Sequence, residues 1–266
     1  MSIIKSHLKE ENGMTEWDSA LQLHGLCKQF GKQTAVNSVN LTVPCGSFFG
    51  LVGPNGAGKT TLLSMAVGLL RPDRGASRIF GADVWSNPLH AKTLVGVLPD
   101  GMSLPERLTG RELLTYMGLL RGLDAKTVAE RTEELLAILD FCDDERTLVI
   151  NYSTGMRKKI GLATALLHSP KLLVLDEPFE AVDPISALTI RTILQQFVAS
   201  GGSVILSSHV MALVEQLCDH VAVIAKGRVA ASGPLDLVRN GKSLEEAFVH
   251  LVGKRPEEGK TLSWLM

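Results

Sequence analysis

The stretch GPNGAGKTT fits the pattern G-x-x-x-x-G-K-[ST] at every fixed position from Gly53 to Thr60. Gly53, Gly56 and Gly58 let backbone N–H groups turn toward the β- and γ-phosphates of a nucleotide, with Pro54, Asn55 and Ala57 as the intervening loop residues. Lys59 supplies a point charge, the Thr60 hydroxyl can hold Mg²⁺, and Thr61 follows on the exit from the loop. Two acids, Asp176 and Glu177, end the apolar run KLLVLDEP. The first could hold magnesium through water, and the second could orient or deprotonate an attacking water. Such a pair in isolation would simply face solvent; beside a phosphate loop, the chemical role is the better reading. His209 ends a further apolar run, SVILSSH, and the carboxyl ends of strands in an open α/β sheet line the ligand crevice. A lone histidine there is often a structural hydrogen-bonder, but the company of Lys59 and Glu177 favours the crevice.

A second anion site is written into NYSTGMRKK, residues 151–159. Ser153, Thr154 and Gly155 stand at the start of a helical stretch, where free N–H groups and the helix dipole attract negative charge. An ordinary capped helix is the alternative.

These residues need a scaffold that brings strand ends together. Strand-like runs are ALQLHGLC at 20–27, VNLTV at 39–43 and FFGLVG at 48–53, the last leading straight into the phosphate loop. KTTLLSMAVGLL then reads as a helix, completing the strand–loop–helix order that such a loop requires. Between Leu104 and Ile150 the pattern turns helical. Thr109 and Glu112 form a capping box, and Asp124 can cap a helix whose Val128, Leu135 and Leu139 recur at helical spacing. LLVLDEP and SVILSSH are continuous apolar strands of the parallel-sheet kind, separated by the helical ISALTIRTILQQFVAS. VAVIAKGRVAASGP reads as a hairpin turning at Lys226-Gly227, and Ser243 with Glu246 caps a last helix in SLEEAFVHLVG. The expected organisation is a polar leader at 1–19, an α/β domain at 20–253 with a helical insert at 104–150, and a polar tail at 254–266.

Composition narrows the function classes. Hydrophobic residues make up 45% and charged residues 21%, the balance of a globular chain with a sizeable core. With 27 Lys and Arg against 28 Asp and Glu, the basic excess of a nucleic-acid binder is missing, so no nucleic-acid partner is expected. Cys27, Cys45, Cys142 and Cys218 show no metal-ligand spacing and are expected to be buried free thiols. No apolar run reaches the ~18 residues of a membrane span, and the start of the chain lacks the apolar core of a secretory signal.

GPNGAGKTT, YSTGM, LLVLDEP and SSH in this order resemble the Walker A, signature, Walker B and switch-histidine motifs of an ABC transporter ATP-binding subunit. The resemblance covers roughly residues 20–253. It implies a P-loop NTPase with a RecA-like α/β core, an N-terminal β-subdomain and an inserted α-helical subdomain. It also implies ATP and Mg²⁺ as cofactors, with Asp176 a water-mediated magnesium ligand, Glu177 the general base and His209 a γ-phosphate contact. Phe30, at the aromatic position before the loop, would stack on adenine or else serve as a core aromatic. Each ATP would lie between the phosphate loop of one protomer and Ser153, Thr154 and Gly155 of a second ATP-binding subunit in a head-to-tail dimer. Polytopic membrane permease subunits would handle the transported molecule, holding the chain at the cytoplasmic face of the cell membrane. YSTGM and SLEEAF resemble export-type subunits of multidrug or antibiotic-resistance transporters.

Three positions depart from the family pattern. YSTGM replaces Leu-Ser-Gly-Gly-Gln while keeping the serine and the last glycine. Asp100 stands where glutamine is usual, which puts its expected link to Mg²⁺ in question because a carboxylate is shorter and cannot donate. EAVDP at 180–184 keeps Asp183 but sets Glu180 near the expected dimer seam. A soluble ABC-type ATPase, for example of cluster assembly, is the alternative function. A coiled-coil DNA-repair ATPase would need a long heptad insert, and a GTPase would need a guanine-reading Asn-Lys-x-Asp; neither pattern is present.

Overall fold

In the computed structural model, residues 19–141 and 146–253 are described. The tail at 254–266 and all but the last residue of the leader lie outside them, as does Cys142. The chain opens with a long antiparallel hairpin, β1 (Ser19–Phe30) and β2 (Gln33–Pro44), longer than the two runs expected there. Strand β3 (Phe48–Val52) runs into the phosphate loop, and α1 (Lys59–Ala66) follows it. This helix stops short of the expected Leu70, because the Leu69 and Leu70 N–H groups both turn back to the Ser64 carbonyl. Next come β4 (Arg74–Ile79), β5 (Ala82–Asp83), α2 (Pro88–Leu94) and β6 (Val95–Leu98).

The helical stretch contains α3 (Gly110–Leu120) and α4 (Ala125–Ile138). Thr109 and Glu112 close the capping box ahead of α3, and the Asp124 carboxylate accepts from Thr127 N at 3.0 Å ahead of α4. Such caps stabilise a helix by about 1 kcal/mol each. The buried stripe of α4 runs through Val128, Thr132 and Leu136 and on to Leu139; Leu135 is only half-buried, one position off the expected phase. After a 3₁₀ turn (Val149–Asn151) come α5 (Thr154–Leu166), β7 (Leu172–Leu175), α6 (Pro184–Ala199) and β8 (Ser203–Ser208). The chain closes with α7 (Met211–Leu217), the hairpin β9 (His220–Ala225) and β10 (Arg228–Pro234), α8 (Leu235–Arg239) and α9 (Leu244–Val252). Lys226 and Gly227 both take positive φ, 49° and 71°, as a two-residue hairpin turn requires.

Two sheets result. The first has the order β2-β1-β4-β5 and the second β10-β9-β3-β8-β7-β6, whose strands are parallel apart from the β9–β10 hairpin. Side chains alternate across a strand, so the central strands serve two cores at once. Val52, Leu173, Leu175, Val204 and Leu206 join the core beneath α3–α7. Leu51, Leu172, Val174 and Ile205 join the core shared with α1 and the β1–β2 hairpin. Burial on both faces is why these strands read as unbroken apolar runs. Cys218 is buried, which pushes its thiol up, but Cys45 is exposed and Cys27 half-buried, so burial of all the thiols does not hold. No helix among the described residues is long and apolar enough to cross a membrane.

His168 lies beyond the end of α5, its Nε2 3.0 Å from both the Val95 carbonyl and Arg121 Nη1, and the neutral ring can donate to the first or accept from the second but not both. Burial first, and then the Arg121 cation, lower its pKa from 6.5 to about 4. The unfolded chain takes up this proton near its ordinary value and the folded chain only near the lower one. The neutral ring therefore contributes stability above the upper value, and that contribution is lost as pH falls between the two. In urea unfolding measured from pH 6.5 down to pH 4, wild type should lose more stability than His168→Gln. Parallel curves for the two proteins would show that this histidine does not govern the acid limb.

Candidate nucleotide site

The phosphate loop, residues 53–58, joins β3 to α1 and takes its shape from close backbone packing. At Gly58, φ is 105° and a Cβ would sit 2.4 Å from the Ala35 carbonyl, so no other residue fits. The Gly53 carbonyl accepts from Lys59 Nζ at 2.8 Å, fixing the ammonium under the loop. Lys59 is only 6% exposed, and its charge is balanced by Glu177 Oε1 at 3.4 Å. A buried ammonium without such a partner would be strongly destabilising, so this pair helps keep the loop in register.

Asp176 and Glu177 follow β7 directly. The Asp176 carboxylate is buried and accepts a short hydrogen bond from the Ser207 hydroxyl of neighbouring β8. The same Ser207 oxygen accepts from the Glu177 N–H at 2.9 Å. Glu177 itself is left-handed, with φ of 46°, a conformation that costs a non-glycine residue about 1–2 kcal/mol. Such strain persists only where surrounding bonds over-determine it. Its carboxylate reaches Lys59 with one oxygen and His209 with the other, which lies 3.1 Å from His209 Nδ1. An ionised carboxylate can only accept, so this pairing puts the ring proton on Nδ1.

A cleft of about 410 Å³ opens over Lys59 and Glu177, while Asp176, Ser207 and His209 are not part of its lining. Every loop residue from Pro54 to Thr61 lines it, together with Asp100, Glu177 and Glu180. Phe30 stands at its rim, 50% exposed, and so is not a core aromatic; Lys28 Nζ lies 5.7 Å from its ring centre. Gln33 and Ala35 complete that side, from a strand start that carries no motif. Asp100 is bound to Lys158 Nζ at 3.4 Å. Thr60, at the first turn of α1, and Asp176 offer hard oxygen donors of the kind magnesium takes alongside substrate phosphates.

Ser153, Thr154 and Gly155 are not part of this cleft. Ser153 is the N-cap of α5, its hydroxyl accepting from Met156 N at 3.2 Å, and both Ser153 and Thr154 are exposed. Gly155 is buried against Asp183 and Ser186 at the start of α6, where a Cβ would lie 2.8 Å from the Asp183 carboxylate. Hydrogen bonds from the Ser186 and Ile185 N–H groups hold that carboxylate below its usual pKa, so it stays ionised. The structure thus gathers the phosphate loop, Asp176, Glu177, His209, Asp100 and Phe30, and sets the Ser153–Gly155 start apart. Ser207 falls within SSH and Lys158 within NYSTGMRKK, but their contacts with Asp176 and with Glu177 and Asp100 are not read from those motifs. A small hydroxyl near a strand end and a cation just after a helix start are the only traces they leave in sequence.

Comparison with known proteins agrees with this geometry. Residues 36–180 match the ABC transporter family. The chain is 36% identical over 251 residues to the daunorubicin/doxorubicin resistance ATP-binding protein DrrA of Streptomyces peucetius, covering 94% of this chain and 76% of that one. It is 36% identical over 210 residues to the bacitracin transport ATP-binding protein BcrA of Enterococcus faecalis, covering 79% and 67% respectively. A solved structure of the ATP-binding subunit of an ABC transporter superposes with a TM-score of 0.81 at 30% identity, covering 88% of this chain and 99% of that one. With the P-loop NTPase fold, the loop, the strand-end acids and these relatives together, the chain belongs to the ABC transporter family as an ATP-binding, ATP-hydrolysing subunit.

Proposed function

We propose that the cleft is half of an ATP site, and that Ser153–Gly155 of a second ATP-binding subunit supplies the other half. The observation that carries this reading is the separation of the exposed α5 start from the chain's own phosphate loop. Ser153 caps one N–H of the helix, and the neighbouring first-turn groups can meet an anion from outside. Phe30 offers its exposed face to a base, while the loop N–H groups and Lys59 take the phosphates. Mg²⁺, when bound, would neutralise phosphate charge, with Thr60 and Asp176 holding it. Glu177 accepts the proton of the attacking water, and His209, bound to that carboxylate through Nδ1, keeps it aimed; a contact with the γ-phosphate would use the imidazolium form, whose Nε2 also donates. Asp100 is a candidate metal contact whose carboxylate Lys158 already engages.

Permease subunits would pass the transported molecule and hold this chain at the cytoplasmic face of the membrane. The resistance and transport roles in the relatives' names favour export as the direction. A soluble machine has no comparable support.

Replacing Glu177 with Gln keeps the shape but removes the base. ATP binding should persist, while turnover should fall by about 10²–10⁴-fold. Near wild-type hydrolysis in that variant would remove Glu177 from the mechanism.

The shared site has its own test. One protomer carries Lys59→Ala and the other Ser153→Arg, and each variant alone should trap no ATP. In the mixed dimer, the intact loop of the Ser153→Arg chain faces the intact helix start of the Lys59→Ala chain, and that site should trap one ATP. Wild type paired with a chain carrying both substitutions should trap none. The reverse pattern would mean that each chain builds its own complete site.

A further inference from the structure

Lys158 has no role in the site so far. It lies one turn into α5, with its side chain only 13% exposed. Its Nζ donates to the Glu177 carbonyl at 2.9 Å and lies 3.4 Å from Asp100 Oδ1. The Glu177 peptide is therefore gripped at both ends. Its N–H donates to Ser207 at 2.9 Å, and its carbonyl accepts from Lys158 and, at 3.2 Å, from the Glu180 N–H. These are the bonds that hold φ at 46°, a value most side chains avoid. Because Lys158 grips the backbone rather than the carboxylate, both carboxylate oxygens stay available to Lys59 and His209.

A largely buried ammonium needs a counter-charge, and a lysine stem has several soft torsions to fix. Asp100, on the loop after β6, meets both needs. An amide at that position could accept a hydrogen bond from Lys158 but could not balance its charge. The departure at residue 100 and the cation at residue 158 thus form one unit, joining the β6 loop, α5 and the end of β7.

We propose that Lys158 is a positioning residue for ATP hydrolysis, holding the Glu177 turn in its left-handed conformation, and that Asp100 acts through Lys158 by fixing its ammonium. This rests on Glu177 being the base.

The test measures kcat and KM for ATP in the full chain with its partner subunits, with variants made alone and in a Glu177→Gln background. Lys158→Met should lower kcat by about tenfold or more, because small misplacements of a catalytic group are costly, and KM should stay within about twofold. Lys158→Arg, which keeps a charged donor, should recover most of kcat. Asp100→Asn should lower kcat less than Lys158→Met and add nothing to it in the double variant. Lys158→Met should add nothing in the Glu177→Gln background. In the nucleotide-free chain, exchange of the Glu180 amide hydrogen should quicken in Lys158→Met and not in Lys158→Arg.

An unchanged kcat in Lys158→Met, in a protein that Glu177→Gln inactivates, overturns the positioning role and leaves the base in place. Full turnover in Glu177→Gln instead overturns the reading of the base on which the proposal stands. A raised Mg²⁺ requirement in Asp100→Asn that persists in the Lys158→Met background makes Asp100 a metal contact and overturns its action through Lys158. Should Lys158→Met not fold, Asp100→Asn decides, since that carboxylate is 47% exposed and its loss leaves the core intact. An unaltered kcat in it overturns the proposal.

Discussion

Three neighbouring parallel strands carry the cleft, and their register decides what can meet there. β3 pairs with β8 so that Val52 lies opposite Ser208, and β7 pairs with β8 so that Leu175 lies opposite Leu206. The phosphate loop leaves the first strand, Asp176 and Glu177 leave the second, and Ser207 and His209 mark the end of the strand between them. A slip of one residue in either ladder would turn Ser207 to the other face of the sheet and part it from Asp176. Both faces of these strands are buried in separate hydrophobic cores, which makes such a slip costly. The packing of apolar side chains thus sets the position of the polar ones.

Charge is arranged around the Glu177 carboxylate. Lys59 and His209 approach its oxygens, while Lys158 takes its carbonyl and is itself met by Asp100. Lys59 and Lys158 each meet an anion, and the Glu177 carboxylate has a second partner in His209. That chain of dependence makes the cleft a determined structure rather than a loose loop. It also means that an arriving polyphosphate must compete with Glu177 for Lys59, so nucleotide binding and release of the Glu177 carboxylate are linked through one ammonium group.

Much of this was legible before any fold was known, for identifiable reasons. GPNGAGKT encodes its own backbone shape through glycine, and LLVL and SVILSS encode burial on both faces through unbroken apolar runs. The capping boxes at Thr109 and Ser243, and the turn at Lys226-Gly227, are local chemistry within four residues. What escaped depends on distance along the chain. Ser207 meets Asp176 across 31 positions and Lys158 meets Asp100 across 58, and no local pattern records either. The early end of α1 is set by carbonyl pairing at Ser64, and the burial phase of α4 by its neighbours, so periodicity alone misplaced the first by four residues and one position of the second, Leu135, by one.

The Ser153–Gly155 start is fixed by its own packing, apart from the cleft. Gly155 must be glycine because Asp183 and Ser186 press against it, which fixes the start of α5 to the start of α6. Asp183 is held ionised by the α6 N–H groups, so it cannot yield that place by taking up a proton near neutral pH. The helix start is thereby fastened to a segment only a few residues beyond Glu177, yet it lies outside the cleft that Glu177 lines. On the reading proposed above, a second subunit would bring its own helix start to the cleft with that fastening intact.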